Sequence, residues 1–324
     1  MTLLGAMALM ALWLAAALPQ AGSPAPPAPP AATARLSPAA LRAVPWPELA
    51  GLEPAVQEAL QQGSAGFTAA VAAGAVEAGG GAQVAEAYGE LGRLFHAHGF
   101  SAAAETCYDN AGRLAREDFR WPHLRGLVLL DEQRSEAAAA AFAEAFARRP
   151  YYPALLRQAR VEQELGHLEA AQVLLAVATA HSPNDPALLA VLGDQAGLTG
   201  RNTEAIELLE RALQAAPGAT RLHYPLALAY RAVGNGAAAD AHLALAGRVG
   251  IVPLDPLENE VRSRRVGATV WDLEGQRALQ AGDAPAAVKA FRKALEARPG
   301  DPELRARLSA AERTDAAAFE TAKP

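Results

Sequence analysis

The feature that most constrains the fold of this chain is a repeat with a period of about 34 residues. In five of the repeats a glycine ends the first half, an alanine follows five residues later, and a second alanine follows seven residues after the first. The positions are Gly99, Gly166, Gly200, Gly234 and Gly282, then Ala104, Ala171, Ala205, Ala239 and Ala287, then Ala111, Ala178, Ala212, Ala246 and Ala294. A fixed period of this size predicts a solenoid of stacked units, which offers a surface for binding.

Each repeat is predicted to form two helices joined by a short turn. In the last repeat, Trp271, Gly275 and Ala278 share one helix face because they are separated by four and three residues. Gly282 ends this helix in a left-handed conformation. The second helix ends before Pro299, because proline cannot continue a helix.

These positions resemble the tetratricopeptide repeat (TPR) family, whose units carry a large residue, Leu-Gly, an aromatic residue, Gly, Ala, an aromatic residue, Ala and Pro in that order. The first unit offers Tyr88, Leu91, Gly92, Phe95, Gly99, Ala104, Tyr108 and Ala111, and the last offers Trp271, Gly275, Gly282, Ala287, Phe291, Ala294 and Pro299. Four partial units lie between them, and Gln133 replaces the turn glycine of the second unit. The resemblance covers about 85–301 and implies an all-α, right-handed superhelical solenoid of helix-turn-helix units.

The composition of the sequence suggests a division around these repeats. The expected segments are a signal peptide or N-terminal membrane anchor at 1–18, a disordered Pro/Ala-rich linker at 19–47, a helical cap and joint at 48–84, five TPR units at 85–246, an irregular segment with a helix extension at 247–267, the sixth unit at 268–301, a capping helix at 302–313 and a disordered tail at 314–324. We expect the helix extension to run without a break into the first helix of the sixth unit.

The N-terminal residues 3–18 are apolar and uncharged, and a proline-rich stretch follows them. This pattern is typical of a secretory signal core or of an uncleaved membrane anchor. Both alternatives place the repeats outside the cytoplasm, either in the periplasm or anchored to the inner membrane facing it. The excess of Ala, Arg and Pro indicates a bacterial source. A lipoprotein anchor is excluded because Cys107, the single cysteine, lies inside a repeat.

Several classes of chemistry find no support in the sequence. The net charge of −6 argues against nucleic-acid binding. One cysteine cannot form an internal disulfide. No phosphate loop, dinucleotide fingerprint or nucleophile elbow is present. His96 and His98 are two residues apart on a helix and therefore point to different sides, which makes them poor metal ligands. We expect no catalytic site, cofactor or metal.

In the TPR fold the first helices of successive units line a concave groove. The resemblance places these residues there: Arg93, His96, Arg120, His123, Arg160, Gln163, Tyr224, Arg231 and Gln276. Several are arginines, which suit an extended acidic segment or the C-terminal segment of a partner protein. The alternative is that these arginines are simply solvated and bind nothing. The two positions that hold the family's chaperone-tail clamp carry Gly89 and Arg93, so that ligand is not expected.

The sequence therefore predicts a non-enzymatic scaffold that binds a protein or peptide in its groove, in a cell-envelope assembly, secretion or respiratory complex. The alternative is a component of polysaccharide export that binds a glycan or its synthase. An enzyme with an unrecognised site is the third interpretation.

Overall fold

The computed structural model describes residues 41–76, 80–251 and 253–321, and the regular elements in that part of the protein are all helical. The predicted all-α fold is therefore confirmed. The helices are α1 Pro54–Val76, α2 Gly81–Ala97, α3 Ser101–Leu114, α4 Arg120–Asp131, α5 Ser135–Arg148, α6 Tyr152–Glu164, α7 Leu168–His181, α8 Pro186–Leu198, α9 Asn202–Ala215, α10 His223–Ala232, α11 Gly236–Leu245, α12 Pro256–Ser263, α13 Ala268–Gln280, α14 Ala284–Ala297 and α15 Pro302–Thr321. A short 3₁₀ turn, Thr220–Leu222, precedes α10.

Consecutive helices pair into hairpins, and each hairpin corresponds to one sequence repeat. Hairpins 1 to 5 are α2–α3, α4–α5, α6–α7, α8–α9 and α10–α11, and hairpin 6 is α13–α14. Each of the first four hairpins packs against the next, with apolar clusters between them. The predicted helical-repeat solenoid is confirmed for these units. Helix α1 packs on α2, and α15 packs on α14.

Small residues allow the two helices of a hairpin to approach closely. A Cβ atom added to Gly92 would lie 2.7 Å from Cε1 of Tyr108, and one added to Gly275 would lie 2.6 Å from Cε1 of Phe291. Both distances are shorter than a van der Waals contact, so a side chain at either glycine would force the helices apart. The alanine that faces each crossing, such as Ala104, is fully buried. The role that the sequence predicts for these small residues is confirmed.

The turns inside the hairpins explain the glycines of the repeat. Their φ angles lie between 77° and 84° at Gly99, Gly166, Gly200, Gly234 and Gly282. Gln133 occupies the same position in hairpin 2 with a φ of 59°. Having Gln133 where the other repeats have glycine therefore leaves the turn conformation unchanged and places a residue with a side chain in the left-handed region.

We expect Gln133→Gly to stabilise the protein. A left-handed conformation costs a residue with a side chain about 1–2 kcal/mol, while glycine loses about 0.5–1 kcal/mol more backbone entropy on folding. The net gain in the free energy of unfolding should be about 0.5–1 kcal/mol, measured by urea denaturation. The reverse change at the equivalent turn, Gly166→Gln, should destabilise by a similar amount. Equal stabilities of the two variants would contradict the assignment.

Part of the predicted linker is ordered against hairpin 1. The backbone N–H of Arg42 donates a hydrogen bond of 2.8 Å to Oδ1 of Asn110, whose amide donates one of 2.8 Å to the carbonyl of Arg42. The ring of Trp46 meets Phe95 edge-on at 5.3 Å. The prediction that the linker stays disordered to residue 47 is therefore wrong for 41–47, because the buried Asn110 side chain pairs with this backbone.

Two helix boundaries also differ from the sequence prediction. The continuous helix expected from the extension into the sixth unit is wrong: α12 ends at Ser263, and α13 begins only at Ala268. Gly267 separates them with a φ of 77°, a left-handed conformation that no helix can include. The terminal helix is longer than predicted and continues to Thr321, because the alanines after Asp315 favour a helix.

Between hairpins 5 and 6 the polypeptide leaves the stack and runs back to hairpins 1 and 2. We call residues 246–267 the return segment. Its helix α12 packs against α2 and α4. Glu53, just before α1, accepts a hydrogen bond of 2.7 Å from the backbone N–H of Ala268 and forms an ion pair with Arg298. Hairpin 6 therefore starts beside the residues that precede hairpin 1.

The predicted signal peptide or anchor and residues 19–40 of the predicted linker lie outside the described residues, as do residues 77–79 of the predicted joint and the last three residues of the sequence. In the part of the protein that the structure describes, the helices are all too short or too polar to cross a bilayer.

Candidate functional site

The first helices of hairpins 1 to 5 contribute to two sections, one that the return segment covers and one that it leaves open. The closed section is the part formed by α2, α4 and the start of α6, which α12 covers. The open section is the cavity between α6, α8, α10 and the start of the return segment. The predicted groove residues fall into one section, the other, or neither.

The polar contacts of the closed section centre on Asp255. Its buried carboxylate accepts hydrogen bonds of 2.8 Å from Nε2 of His123 and of 2.8 Å from the hydroxyl of Tyr151. Nε of Arg157 lies 3.6 Å away. The same carboxylate caps α12 by accepting a bond of 3.1 Å from the N–H of Leu257. An ionised carboxylate only accepts hydrogen bonds, so Nε2 of His123 carries the shared proton.

These neighbours keep Asp255 ionised although it is buried. Burial by itself raises the pKa of Asp255, but the hydrogen bond and charge of His123, the hydrogen bond of Tyr151 and the charge of Arg157 outweigh burial and lower the pKa to about 2. The closed section is therefore built to hold a negative charge at this point.

Arg93 forms a second set of contacts in the closed section. The residue is 1% exposed, and its guanidinium pairs with Glu90 at 2.7 Å and with Glu86 at 3.4 Å. On its other side it pairs at 3.2 Å with Glu260 of the return segment. It also lies over the ring of Trp121, 5.2 Å from the ring centroid. The return segment thus supplies one of the carboxylates that neutralise a buried cation.

The apolar face of α12 completes the closed section. Leu257 and Val261 are buried in the same cluster as Leu124 and Val128 of α4. At the edges, Arg157 pairs with Glu258. Helix α12 therefore combines two buried apolar side chains with a row of acidic ones.

The predicted residues of the first two hairpins all lie in or beside the closed section. Arg93 and His123 contact the return segment directly. Arg120 pairs with Asp118 and Glu86, each at 2.7 Å. The hydrogen bond to Asp118, and to a smaller extent the one to Glu86, raises the pKa of Arg120. Nε2 of His96 lies 3.3 Å from Asp131. These four side chains already have acidic partners within the protein.

The open section is a cavity of about 760 Å³. Arg160, Gln163 and Tyr224, three of the predicted groove residues, line it. Gln163 is fixed by hydrogen bonds from its amide to the carbonyl of Val191 at 3.0 Å and to Oε1 of Gln195 at 2.7 Å. These bonds link α6 to α8, two of the helices that form the cavity wall.

Apolar side chains in the open section are exposed to solvent. Tyr224 is 55% exposed, Leu228 is 49% exposed, and Leu198 at the end of α8 is 59% exposed. All three line the cavity. Exposed apolar side chains grouped in a concave site are typical of a binding surface.

The charges of the open section are mixed. Arg160 and Arg221 line the cavity together with Asp194 and Glu164. Burial raises the pKa of Asp194, and the charges of Arg160 and Arg221 act in the opposite direction. Arg160 also pairs with Glu164 at 3.2 Å. The cavity wall therefore carries side chains of both charge signs.

The structure brings the last two predicted residues to neither section. Arg231 is exposed and pairs at 3.5 Å with Asp240 of the same hairpin. The amide of Gln276 donates a bond of 2.9 Å to Asp272 on its own helix. Arg231 lies beyond the cavity on α10, and Gln276 belongs to hairpin 6.

Sequence reasoning missed four residues of the closed section, namely Trp121, Tyr151, Arg157 and Asp255. The sequence suggested an acidic ligand for the groove arginines, and residues 255–260 are such an acidic stretch. Matching these two features could have indicated the contact. Outside both sections, burial raises the pKa of the Cys107 thiol, which disfavours the reactive thiolate.

No protein-family model and no curated protein matches this sequence. Among solved structures, residues 41 to the end of MamA from Desulfovibrio magneticus RS-1 are 17% identical; the match covers 56% of the present protein and 97% of that one, with a TM-score of 0.46. YrrB, described as a TPR protein with an unusual peptide-binding site, is 19% identical, with 55% and 89% covered and a TM-score of 0.47. A TPR protein from Parabacteroides merdae is 14% identical, with 79% and 99% covered and a TM-score of 0.44. The similarity concerns the helical-hairpin fold alone.

Proposed function

We propose that this protein is a non-enzymatic scaffold that binds an extended segment of another protein in the open section. The observation that supports this proposal most strongly is the cavity of about 760 Å³ with exposed apolar side chains on its wall. Most apolar side chains of the stack are buried, whereas Tyr224 and Leu228 face this space. A segment with an apolar side chain would cover them and gain hydrophobic free energy.

The charges define the ligand further. Arg160 and Arg221 favour acidic residues on either side of the apolar anchor, since a guanidinium binds a carboxylate through paired hydrogen bonds. A glycan ligand finds less support, because Tyr224 is the sole aromatic residue among the described residues of the cavity wall. The ligand proposed is therefore an acidic peptide rather than a polysaccharide.

We also propose that the protein acts outside the cytoplasm, in the periplasm or anchored to the inner membrane facing it. The apolar, uncharged residues 3–18 and the proline-rich stretch after them support this location. A scaffold in this place would serve a cell-envelope assembly, secretion or respiratory complex.

The open section can be tested with a peptide selected from a random library on the full-length protein. Leu228→Asp should weaken the binding of that peptide at least 10-fold, or about 1.4 kcal/mol, because it places a charge in the apolar wall. Arg160→Glu should weaken the binding of peptides that carry acidic residues. Affinity is measured by fluorescence anisotropy at two salt concentrations, since the ionic part should decrease at high salt.

The protein offers a matched control for each variant. Val233, which is 47% exposed, follows α10 but does not line the cavity, so Val233→Asp should leave affinity unchanged. Arg231→Glu, also outside the cavity, is the control for Arg160→Glu. The proposal fails if Leu228→Asp and Val233→Asp bind the peptide equally well.

A further inference from the structure

We propose that α12 is an internal ligand of the closed section, and that the external partner of this section is a protein helix of the same chemistry. Such a helix begins with a capping aspartate, carries apolar residues two and six positions later, and carries acidic residues between them. It binds by displacing α12. Arg157 contributes to both sections, but the contacts of α12 with hairpins 1 and 2 lie outside the open cavity, so the inference does not depend on the proposed function.

The polypeptide takes an unusual path at the return segment. Neighbouring hairpins in the stack are joined by short turns, such as the one between Arg148 and Tyr152. The return segment is much longer and leads away from hairpin 5 to hairpins 1 and 2. A spacer between two repeats needs no such contacts. The segment therefore has a binding role that its position in the sequence does not require.

The contacts of α12 resemble those of a bound amphipathic helix. Leu257 and Val261 insert into the apolar cluster of hairpins 1 and 2. Asp255, Glu258 and Glu260 meet cations or hydrogen-bond donors of the groove. Each type of contact is one that a separate peptide could make.

The residues on either side of α12 separate it from hairpins 5 and 6. Leu254 is 82% exposed just before the helix. Further upstream, the backbone N–H of Gly247 donates a hydrogen bond of 3.1 Å to the carbonyl of Thr220 in hairpin 5. After the helix, Gly267 separates it from hairpin 6 with a left-handed conformation. Release of α12 breaks its own contacts and those of Arg264 with Glu90 and His98, while both ends of the return segment stay attached.

The covalent connection gives α12 an advantage over any external helix. A tethered ligand acts at an effective concentration of about a millimolar when the linkers are short and flexible. An external helix with the same contacts should therefore bind the intact protein weakly, and should bind strongly when α12 is weakened. This difference is the measurable property of an internal ligand.

The probe is a fluorescent synthetic peptide with the sequence of residues 253–266, and its target is the full-length protein. Val261→Asp places a charge in the apolar cluster and should release α12. Leu254→Asp adds the same charge to the same segment at an exposed position and is the matched control. We expect the peptide to bind the Val261→Asp protein at least 10-fold more tightly than the wild type or the Leu254→Asp protein. A peptide with alanine in place of Asp255 should not bind.

Because Val261→Asp also changes a buried residue, a second variant tests the same point. Glu258→Arg with Glu260→Arg removes the ion pairs of α12 with Arg157 and Arg93 and leaves Asp255 and the apolar side chains unchanged. Hydrogen exchange of both variants should increase in α12, while the helices of hairpins 1 to 5 remain protected. Equal peptide affinities for wild type and released variants would overturn the proposal. Global unfolding of both variants would also overturn it, since α12 would then be part of the folded core.

Discussion

Replacing Trp121 with alanine should lower the free energy of unfolding by about 3–5 kcal/mol, the range found for large aromatic residues in a packed core. Trp121 is fully buried in α4, and its ring packs on the backbone of α2 at Gly89. The guanidinium groups of Arg93 and Arg120 lie over the ring, at 5.2 and 4.4 Å from its centroid. The variant leaves a cavity and also removes both cation–π contacts.

Trp46 provides the control for this measurement, which is made by urea denaturation. It is 47% exposed and meets Phe95 at its edge. Trp46→Ala should lower the free energy of unfolding by about 1–2 kcal/mol, because the half-solvated ring buries roughly half the area of an enclosed tryptophan and its removal leaves no closed cavity. Similar losses for the two tryptophans would show that Trp121 is not the packing centre of hairpins 1 and 2.

Replacing Asp255 with alanine should lower the free energy of unfolding by about 3 kcal/mol at neutral pH. The variant leaves His123, Tyr151 and Arg157 without the buried carboxylate that they share, and removing one partner of a buried ion pair commonly costs about 3–5 kcal/mol. The pKa of about 2 supports a similar magnitude, because a decrease of nearly two units corresponds to about 2 kcal/mol.

The pH dependence of this effect has a definite sign. The pKa of Asp255 is lower in the folded protein than in the unfolded state, so its contribution is present above about pH 4 and is lost as the pH falls to about 2. The stability difference between wild type and Asp255→Ala should therefore decrease over that window. Asp240→Ala is the control, because Asp240 is largely exposed and should change stability by less than about 0.5 kcal/mol. A difference that stays constant from pH 7 to pH 2 would contradict the assigned role of Asp255.

The sequence predicted the hairpins well because their signals are local. Gly92 and Tyr108, or Gly275 and Phe291, are sixteen residues apart, and the same spacing in each repeat makes the helix crossing visible from the pattern. The turn glycines were equally clear, since their left-handed conformation follows from their position between two helices. Gln133 shows that the packing of the hairpin can maintain the turn even where glycine is absent.

The binding face was predicted only in part, because the repeat pattern does not indicate which residues of that face already contact other parts of the protein. Arg93 and His123 were placed on it, but both are buried under the return segment. Arg160 and Tyr224, which the sequence places on the same face by the same repeat pattern, line the open cavity. The resemblance to TPR units assigns a residue to a face of a helix and says nothing about what covers that face.

By itself, the sequence determined that this protein forms stacked helical hairpins, where each hairpin turns, and which small residues allow its helices to cross. These properties depend on contacts within one repeat or between neighbouring repeats, so a periodic pattern records them. Only the tertiary structure decided that α12 covers hairpins 1 and 2 and that hairpins 3 to 5 keep an open cavity. That result depends on contacts such as His123 to Asp255, which are 132 positions apart and belong to no repeat.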